Sequence, residues 1–410
     1  MMEQRWSQEL SFLVNSVGVS DDGGIVAAGT YYYPYPNTAR TTTDGTFGTY
    51  CFGADGKERW RHEYSGNEGV YCVAVAGNGD IVAIGGLLSG GLHALTPGTQ
   101  TRGLVQAFSS DGTPLLDFSN LRSRVNSIAL SRDGSVLAGV TIGGELFVFV
   151  ADTTDGTFPQ TPEFAVQGGP RLDMVAVHPT GKWLIASGAS GKVHFVTISK
   201  TGIDHVYTWT SPVNGIELLA CALARNGDAF VAGGKNKIYA FTVASMTADA
   251  GPQPVDHFDT PSGGTSDDVR WLAMSADGSL VSVVQNLGHD IAGLLITLSN
   301  TAGHLKQLRS PQHLNHNPNS TSIDDAGRFI TVADGHPFNS PGTFYLFQAS
   351  DGRKLAEIPT DQMNWPMVIS ADGSAVAAGN DDGKVFYFVV ETATVPQDVT
   401  KEYGTAVLGV

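Results

Sequence analysis

The chain is dominated by a repeated pattern of a short apolar strand, a turn that ends in glycine, and a second apolar strand. The pattern is clearest at Val125–Gly139 (VNSIALSRDGSVLAG), and close copies occur at Val14–Gly29, Val269–Val284 and Met367–Gly379. Aligned on the turn glycine, eight copies occur, at Gly23, Gly79, Gly134, Gly181, Gly227, Gly278, Gly327 and Gly373, which leaves seven intervals that average 50 residues. A fixed period restricts the fold strongly, because each repeat must be one small unit that packs on its neighbours.

The turns indicate β-hairpins. Asp-Gly or Asn-Gly between two apolar runs is a strong hairpin signal, since the tight turn needs positive φ. Each repeat is interpreted as four strands; in repeat 1 they are Val14–Ser20, Ile25–Tyr31, Thr49–Gly53 and Glu58–Tyr64. Strands throughout a period of this length predict an all-β fold, an eight-bladed β-propeller of four-stranded antiparallel blades.

The N-terminal segment is expected to close the ring. Gln4–Leu10 (QRWSQEL) resembles the last strand of repeat 1, Glu58–Tyr64 (ERWRHEY), whereas repeat 8 supplies only three strands of its own. Pairing this segment into the last blade removes exposed sheet edges. The alternative, a closing strand from Thr392–Tyr403, stays open. Because the core of a propeller is distributed between blades, residues 1–410 are expected to form a single domain.

Charge and composition exclude several classes of protein. The net charge is −16 and no Lys/Arg-rich run occurs, so nucleic-acid and anionic-membrane binding are not expected. No apolar run approaches the roughly 18 residues that cross a bilayer, and residues 1–6 lack the layout of a secretory signal. Cys51, Cys72 and Cys221 fall inside predicted strands and are interpreted as buried free thiols. An acidic, cytoplasmic protein is therefore expected.

The repeats resemble the broad quinoprotein-like and WD40-like propeller superfamily. The resemblance rests on the Asp-Gly-Ser-x-x-Ala-Gly pattern and on Cys51–Trp60 (CFGADGKERW), which is similar to the repeats of quinoprotein dehydrogenases and their non-catalytic relatives. The adjacent cysteine pair of a quinone-cofactor dehydrogenase and the Trp-Asp dipeptide of true WD40 repeats are both missing. The resemblance therefore implies a propeller, without quinone-dependent dehydrogenation, and leaves the function open because this scaffold has many functions.

One face of the predicted propeller carries long loops. The turns after the first and third strands lie on one face, and the remaining connections lie on the other. The long connections of that second face occur in repeats 1, 2, 6 and 7, within Tyr31–Thr46, from Leu87 onward, at Gln285–Asp290 and at Asp334–Pro341. Repeats 6 to 2 are consecutive around a ring, so these loops predict a crescent wall where binding residues gather.

The ligand site is predicted at the mouth of the central channel on this long-loop face. A tyrosine cluster in repeat 1 offers flat amphipathic rings, although it also suits a loop that packs on itself. Trp365 precedes the first strand of repeat 8, where the indole should face the channel. The candidate lining residues are Tyr32, Tyr33, Tyr35, His93, His289, His313, His336 and Trp365.

Four histidines raise the alternative of a metal site. Imidazole nitrogens together with carboxylates bind divalent Mn, Fe or Zn. The predicted metal ligands lie on the same face within two neighbouring repeats and are His289, His313, His316 and His336, with Asp290 and Asp334 nearby. The competing interpretation is that these are solvated loop histidines.

Two function classes remain. The first is a non-catalytic scaffold that binds a small molecule, a glycan or a protein partner on the long-loop face. The alternative is an enzyme, a lyase, hydrolase or cyclase, with its active site at the channel mouth and a metal held by the loop histidines. The sequence contains no Gly-x-Ser-x-Gly, His-Glu-x-x-His, phosphate-loop or Cys-x-x-Cys motif. No cofactor other than that divalent metal is expected.

Overall fold

The strands of the computed structural model follow the predicted repeats. The structure describes residues 1–10, 12–31, 46–65, 69–89, 102–152, 156–245, 251–262, 268–288, 292–336 and 341–391. The chain begins with β1 (Met2–Glu9). Repeats 1 and 2 comprise β2 (Leu13–Val19), β3 (Ile25–Tyr31), β4 (Thr46–Gly53), β5 (Glu58–Ser65), β6 (Gly69–Val75), β7 (Ile81–Ser89), β8 (Arg102–Ser109) and β9 (Pro114–Leu121).

The next three repeats are the most compact. Repeats 3 and 4 comprise β10 (Val125–Leu130), β11 (Val136–Thr141), β12 (Leu146–Val150), β13 (Glu163–Val166), β14 (Leu172–Val177), β15 (Trp183–Gly188), β16 (Lys192–Ser199) and β17 (Gly202–Thr210). Repeat 5 comprises β18 (Ala220–Leu223), β19 (Ala229–Gly234), β20 (Lys237–Thr242), a short 3₁₀ turn at Val243–Ser245 and β21 (Pro254–Asp259).

The last three repeats complete the chain. Repeats 6 and 7 comprise β22 (Asp268–Met274), β23 (Leu280–Asn286), β24 (Leu294–Thr301), β25 (His304–Gln307), the two-residue β26 (Gln312–His313), β27 (Pro318–Ile323), β28 (Phe329–Gly335), β29 (Gly342–Gln348) and β30 (Lys354–Thr360). Repeat 8 comprises β31 (Asn364–Ile369), β32 (Ala375–Asn380) and β33 (Lys384–Val390). The predicted all-β class is confirmed: within the described residues the helical content is the single 3₁₀ turn.

Within each repeat, successive strands pair antiparallel, except that β25 and β26 both pair with β24. Repeats 1 and 2 are additionally joined by one pair, Tyr31 with Gly69. β1 pairs with β33 along its length, from Met2 opposite Val390 to Glu9 opposite Lys384. β1 thus occupies the fourth place in the sheet of repeat 8. The alternative segment, Thr392–Tyr403, lies outside the described residues.

The hydrophobic core lies between repeats. The buried apolar side chains of the described residues form clusters, and each cluster joins one repeat to the next. In the cluster between repeats 8 and 1, for example, Ala375 and Val385 pack with Val14 and Val26. Strand residues alternate sides of a sheet, so each sheet can bury both faces against neighbours. Trp183 packs between repeats 4 and 5, with its ring 5.9 Å from that of Phe230.

The repeated Ser-x-Asp-Gly sequence forms the turn between the first and second strands. In repeat 3 the carboxylate of Asp133 accepts hydrogen bonds from the Ser131 hydroxyl (2.6 Å) and the Ser135 backbone N–H (3.0 Å). Gly134 has φ 75°, which glycine adopts without strain. The hydrogen bonds to Asp133 lower its pKa against the opposing effect of burial. These carboxylates are structural, as the sequence predicts.

Cys51, Cys72 and Cys221 are buried and free, which confirms the sequence interpretation. Burial raises the pKa of all three thiols, so they behave as small hydrophobic side chains. The described part of the chain contains no helix that is long and apolar enough to span a membrane.

Candidate binding site at the loop face

The first strands of the repeats surround a common axis. β2, β6, β10, β14, β18, β22, β27 and β31 each contact the next in this order, and β31 contacts β2. We call the end of this axis beside the Asp-Gly turns the turn face. The opposite end, where the first strands begin, is the loop face. The two ends of the axis are built differently.

At the turn face, side chains from four repeats meet. The residue two positions before each aligned turn glycine is charged in the odd repeats and small or Pro in the even ones. In order these residues are Asp21, Gly77, Arg132, Pro179, Arg225, Ala276, Asp325 and Ala371. The four charged members form what we call the ion-pair cluster: Asp21, Arg132, Arg225 and Asp325.

The ion-pair cluster spans the axis. Arg225 of repeat 5 lies 2.8 Å from Asp21 of repeat 1 and 3.0 Å from Asp325 of repeat 7. Arg132 of repeat 3 pairs with Asp21 and lies 3.9 Å from Asp325. Burial raises the pKa of Asp325, and the two guanidinium groups oppose that rise. Two cations thus balance two anions across this end of the axis.

Backbone hydrogen bonds reinforce the turn face. The Asp21 N–H donates to the Gly77 carbonyl (2.9 Å) and the Gly77 N–H donates to the Arg132 carbonyl (2.9 Å). A Cβ at Gly77 would lie 2.2 Å from the Asp21 carboxylate and 2.4 Å from the Arg132 side chain, so glycine is required by close approach. Further along, the Asp372 N–H donates to the Asp21 carbonyl (3.0 Å), which links repeat 8 back to repeat 1.

At the loop face, the first strands carry β-bulges. In seven repeats the pairing with the second strand skips near the start of the first strand, at its second or third residue. The skipped residues are Asn15, Tyr71, Asn126, Asp173, Arg270, Asn319 and, in repeat 8, Trp365 with Pro366. A bulge leaves its extra residue outside the ladder and redirects the side chain, often next to a functional site. We call the loop-face end of the axis, bordered by these residues, the mouth.

A Val-Asn-Ser or Pro-Asn-Ser sequence marks three of the bulges. The Asn126 amide donates to the Leu172 carbonyl of the next repeat (3.2 Å), and the Ser127 hydroxyl accepts from the Val175 N–H (3.3 Å). Asn15–Ser16 and Asn319–Ser320 make the equivalent bonds. The asparagines therefore fix one repeat to the next, whereas the other bulge positions carry aromatic or charged side chains.

Aromatic side chains join three repeats at the mouth. The Trp365 ring of repeat 8 meets the Tyr31 ring of repeat 1 edge to face, with centroids 6.3 Å apart. Tyr31 is 5.6 Å from the Tyr71 ring of repeat 2, and the Arg124 guanidinium lies 4.6 Å from the Tyr71 centroid. Tyr31 is buried, while Trp365 and Tyr71 are half-buried. This aromatic arc, Trp365–Tyr31–Tyr71, is a continuous amphipathic wall.

A carboxylate accompanies the arc. The Trp365 indole N–H donates to Asp381, which lies in the turn between β32 and β33. Burial raises the pKa of Asp381 to about 7, and the bond from Trp365 opposes that rise. In sequence, Asp381–Gly383 (DDG) indicates only a tight turn. The local sequence carries no signal for the hydrogen bond from Trp365, because the pairing of β31 with β32 brings Trp365 and Asp381 together.

The structure brings only part of the predicted ligand site together. Trp365 lies at the mouth, but its partners are Tyr31 and Asp381 rather than the predicted residues. Tyr32, Tyr33, Tyr35, His93 and His289 lie outside the described residues. His313 is exposed on β26, opposite Leu294 on β24. His336 is half-buried just after β28.

Asp334, the carboxylate expected beside the histidines, already accepts hydrogen bonds from groups of the protein. Asp334 accepts hydrogen bonds from the His316 backbone N–H (2.9 Å), the Tyr345 hydroxyl (2.9 Å) and the Thr343 N–H (2.6 Å). Burial raises its pKa, and these bonds oppose the rise. Within the described ranges, no three His, Cys, Asp or Glu side chains are grouped so as to hold a metal ion. His289 and Asp290 lie outside those ranges.

Solved propeller structures resemble the chain over most of its length. Saccharomyces cerevisiae Sqt1 is 12% identical, with a TM-score of 0.68, and the match covers 96% of this chain and 100% of that one. Chaetomium thermophilum Sqt1 bound to the N-terminus of the ribosomal protein L10 is 15% identical, with a TM-score of 0.65 over 93% of this chain and 97% of that one. The Myceliophteria thermophila Cps50 (Swd1) β-propeller domain is 14% identical, with a TM-score of 0.57 over 78% and 97%.

Comparison of the sequence with known families and proteins gives no match. No protein-family model matches the chain, and no curated protein matches it significantly. The structural likeness supports the WD40-like part of the predicted resemblance and not the quinoprotein-like part specifically. The fold of this chain is a β-propeller.

Proposed function

We propose that the chain is one eight-bladed propeller, closed by its N-terminal strand, and that it binds a peptide segment of a partner protein at the mouth of the loop face. The ring assignment is supported by the pairing of β1 with β33 and by the Asp372–Asp21 backbone bond. Closure by the N-terminal strand fixes the first and last repeats together, so the mouth has a constant shape.

The contrast between the two ends of the axis carries the binding proposal. The ion-pair cluster fills the turn face with mutually neutralised charges, and its backbone groups are already bonded from repeat to repeat. The mouth presents half-buried aromatic rings and charged bulge residues. Concave sites that combine aromatic surface with a few polar groups are the ones that bind ligands.

A protein partner fits this site better than the other predicted ligands. Aromatic and Arg side chains are the residues that anchor protein interfaces, and the mouth holds Trp365, Tyr71 and Arg124 together. Among similar folds, a Chaetomium Sqt1 structure contains the N-terminus of a ribosomal protein. A glycan or small molecule at the same mouth remains a prediction from the sequence alone.

The binding proposal is tested with an array of unrelated short peptides. Wild type is compared with Trp365→Ala at the mouth and Arg225→Met at the turn face. We expect peptides that bind wild type to lose at least about tenfold in affinity with Trp365→Ala and to bind Arg225→Met as they bind wild type. Peptide binding that depends on Arg225 and not on Trp365 would contradict the placement. A melting curve for each variant separates lost binding from lost folding.

The enzyme alternative is favoured by one observation. A carboxyl group with a pKa of about 7, such as Asp381, is poised for general acid–base catalysis. A metal-dependent form of this alternative uses His289, His313, His316 and His336 as ligands. Metal analysis of untagged protein tests it: one equivalent of Mn, Fe or Zn per chain, lost together with His313→Ala and His316→Ala, supports a metal site, and no bound metal contradicts it.

A further inference from the structure

We propose that the mouth selects a cationic peptide group, a Lys or Arg side chain or a free amino terminus, which lies against the Trp365 ring and pairs with the Asp381 carboxylate. The inference rests on the proposed peptide-binding function and names the chemistry of its ligand. It assigns Asp381 as the charged anchor of the site and Trp365 as both its hydrogen-bond donor and the cation's aromatic surface.

The geometry joins a carboxylate to an aromatic ring at one point. The Trp365 indole N–H donates to one Asp381 oxygen, Oδ1, and this is the only hydrogen bond that the described residues make to that carboxylate. A carboxylate has about four lone-pair sites, so most of its accepting capacity remains. Cations pair strongly with carboxylates and also lie over indole faces, which are the best aromatic partners for them.

Among the described residues, no neighbouring cation neutralises Asp381. In the same turn, Asp382 pairs with Lys384. Asp361, after β30, and Glu9, at the end of β1, also act on Lys384. The raised pKa of Asp381 comes from burial rather than from any of these groups. A half-buried carboxylate without a cationic partner is the arrangement that a cationic ligand stabilises most.

The Tyr71 end of the aromatic arc is already occupied by a cation of the protein, Arg124. Arg124 already covers the Tyr71 ring, so the cation of a ligand is directed toward Trp365 at the other end of the arc. The chain as a whole carries a net charge of −16, which attracts a cationic segment over long range. Local and global charge therefore favour the same class of ligand.

Proton binding makes the selection depend on pH. A cation pairs with the ionised carboxylate, and Asp381 takes up a proton as the pH falls through about 7. Affinity for a cationic probe should therefore fall about tenfold between pH 8 and pH 6, while Asp381→Asn should show no such dependence. Asparagine keeps an oxygen that accepts the indole bond and removes the charge.

The probe is tetralysine with a free amino terminus and a fluorescein at its carboxyl end, followed by fluorescence anisotropy at pH 8. The matched uncharged probe is tetra-Nε-acetyllysine with an acetylated amino terminus. We expect tetralysine to bind wild type, to bind Asp381→Asn at least about tenfold more weakly, and to bind the control Asp382→Asn within about twofold of wild type. The uncharged probe should not bind.

Each other outcome overturns the inference. Equal binding to wild type and Asp381→Asn, or an equal loss with Asp382→Asn, would mean that the overall negative charge attracts the probe. If tetralysine does not bind while uncharged peptides from the array depend on Trp365, cation selection is wrong and the proposed function stands. If no peptide on the array depends on Trp365, the proposed function fails as well.

Discussion

The two faces of this propeller use the same repeat for opposite purposes. At the turn face, each repeat contributes a tight Ser-x-Asp-Gly turn or a variant of it, and the position two residues before the glycine alternates between charged and small or Pro. At the loop face, a bulge in the first strand of seven repeats releases one residue, or two in repeat 8, from the ladder. At the turn face, the charged side chains pair with one another. At the loop face, aromatic and charged bulge residues border the mouth.

Charge shows the difference most clearly. In the ion-pair cluster, Asp21 accepts from both Arg132 and Arg225, so each carboxylate there has a cationic partner. Asp381 at the mouth has an indole N–H instead, and its pKa is raised to about 7. A buried charge without a cationic partner is unfavourable for folding. Its presence at the mouth is consistent with a role in binding.

Deleting Met1–Leu10 should have the largest effect, because it disturbs both faces at once. β1 supplies the fourth strand of repeat 8, and the Trp6 indole donates to the Ala54 carbonyl of repeat 1 (3.0 Å). Losing a strand and its core contacts should lower the melting temperature by roughly 10 °C or more. Calorimetry on this variant and on a deletion of residues 401–410 compares the two ends. Equal losses would contradict closure by the N-terminal strand.

Arg225→Met should destabilise the turn face without changing the mouth. It removes the cation that pairs with Asp21 and Asp325, whose side chains are 19% and 26% exposed. Because the cluster is partly solvated, we expect about 1–2 kcal/mol of lost unfolding free energy rather than the larger cost of a fully buried pair. The loss should shrink in 1 M salt, since screening weakens the wild-type cluster.

The matched control is Arg270→Met at the loop face. Arg270 is an exposed bulge residue 3.9 Å from Asp268. Its replacement should change the unfolding free energy by less than about 0.5 kcal/mol. Denaturant titrations of both variants measure the difference between the faces; equal effects would show that the ion-pair cluster has no special structural role.

Sequence reasoning predicted the repeat and its strands because hairpin chemistry is local. The turn glycines need positive φ, and Asp-Gly between apolar runs is recognisable without tertiary information. The predicted second strand of repeat 1, Ile25–Tyr31, has the observed bounds. The third strand is predicted from Thr49 but begins at Thr46, since pairing with β5 extends it beyond the apolar pattern.

The ion-pair cluster could have been predicted from the sequence. Aligning the repeats on the turn glycine places Asp21, Arg132, Arg225 and Asp325 at one position, with small residues or Pro between them. That alternation indicates side chains that meet across an axis. The bulges also left a trace, since Asn-Ser recurs at the start of three first strands.

The mouth was less predictable, because its chemistry depends on contacts between repeats. Trp365 was predicted just before the first strand of repeat 8 and lies inside it, as the second residue of β31. Its partner Asp381 is 16 residues away in a turn that has an ordinary sequence. The raised pKa of Asp381 arises from burial, which no local pattern specifies. Tertiary desolvation of a single carboxyl group is visible only once the repeats are packed.

Asp381→Asn should raise the unfolding free energy at pH 8, because it removes the unpaired charge at the mouth. The folded state holds a proton on Asp381 up to about pH 7, whereas an unfolded Asp loses it near its ordinary pKa of 3.8. Wild-type stability should therefore fall as the pH rises from about 4 to 7 and then level off. Asn removes this loss, so the variant should exceed wild type by about 1–2 kcal/mol at pH 8 after allowance for partial exposure. Denaturant titrations at pH 5 and pH 8 test the sign; a difference that is the same at both would contradict the raised pKa.

Apart from the Arg270→Met control, the smallest expected effect is at a single Asp-Gly turn. Asp133→Ala removes the acceptor of the Ser131 hydroxyl and the Ser135 N–H, which should lower the unfolding free energy by about 1 kcal/mol at pH 7. Asp133→Asn should cost less, because Asn226 already accepts the equivalent backbone bond in repeat 5 (3.1 Å).

The contribution of Asp133 to the unfolding free energy depends on pH with the opposite sign to the contribution of Asp381. The pKa of Asp133 is lowered in the folded state, so its stabilisation is present above the ordinary pKa of 3.8 and is lost as the pH falls through the lowered value. The difference between wild type and Asp133→Ala should accordingly narrow in acid, and tetralysine binding at pH 8 should stay within about twofold of wild type. A loss of binding with Asp133→Ala would mean that the two faces are coupled, because this turn lies at the end of the axis opposite to Trp365.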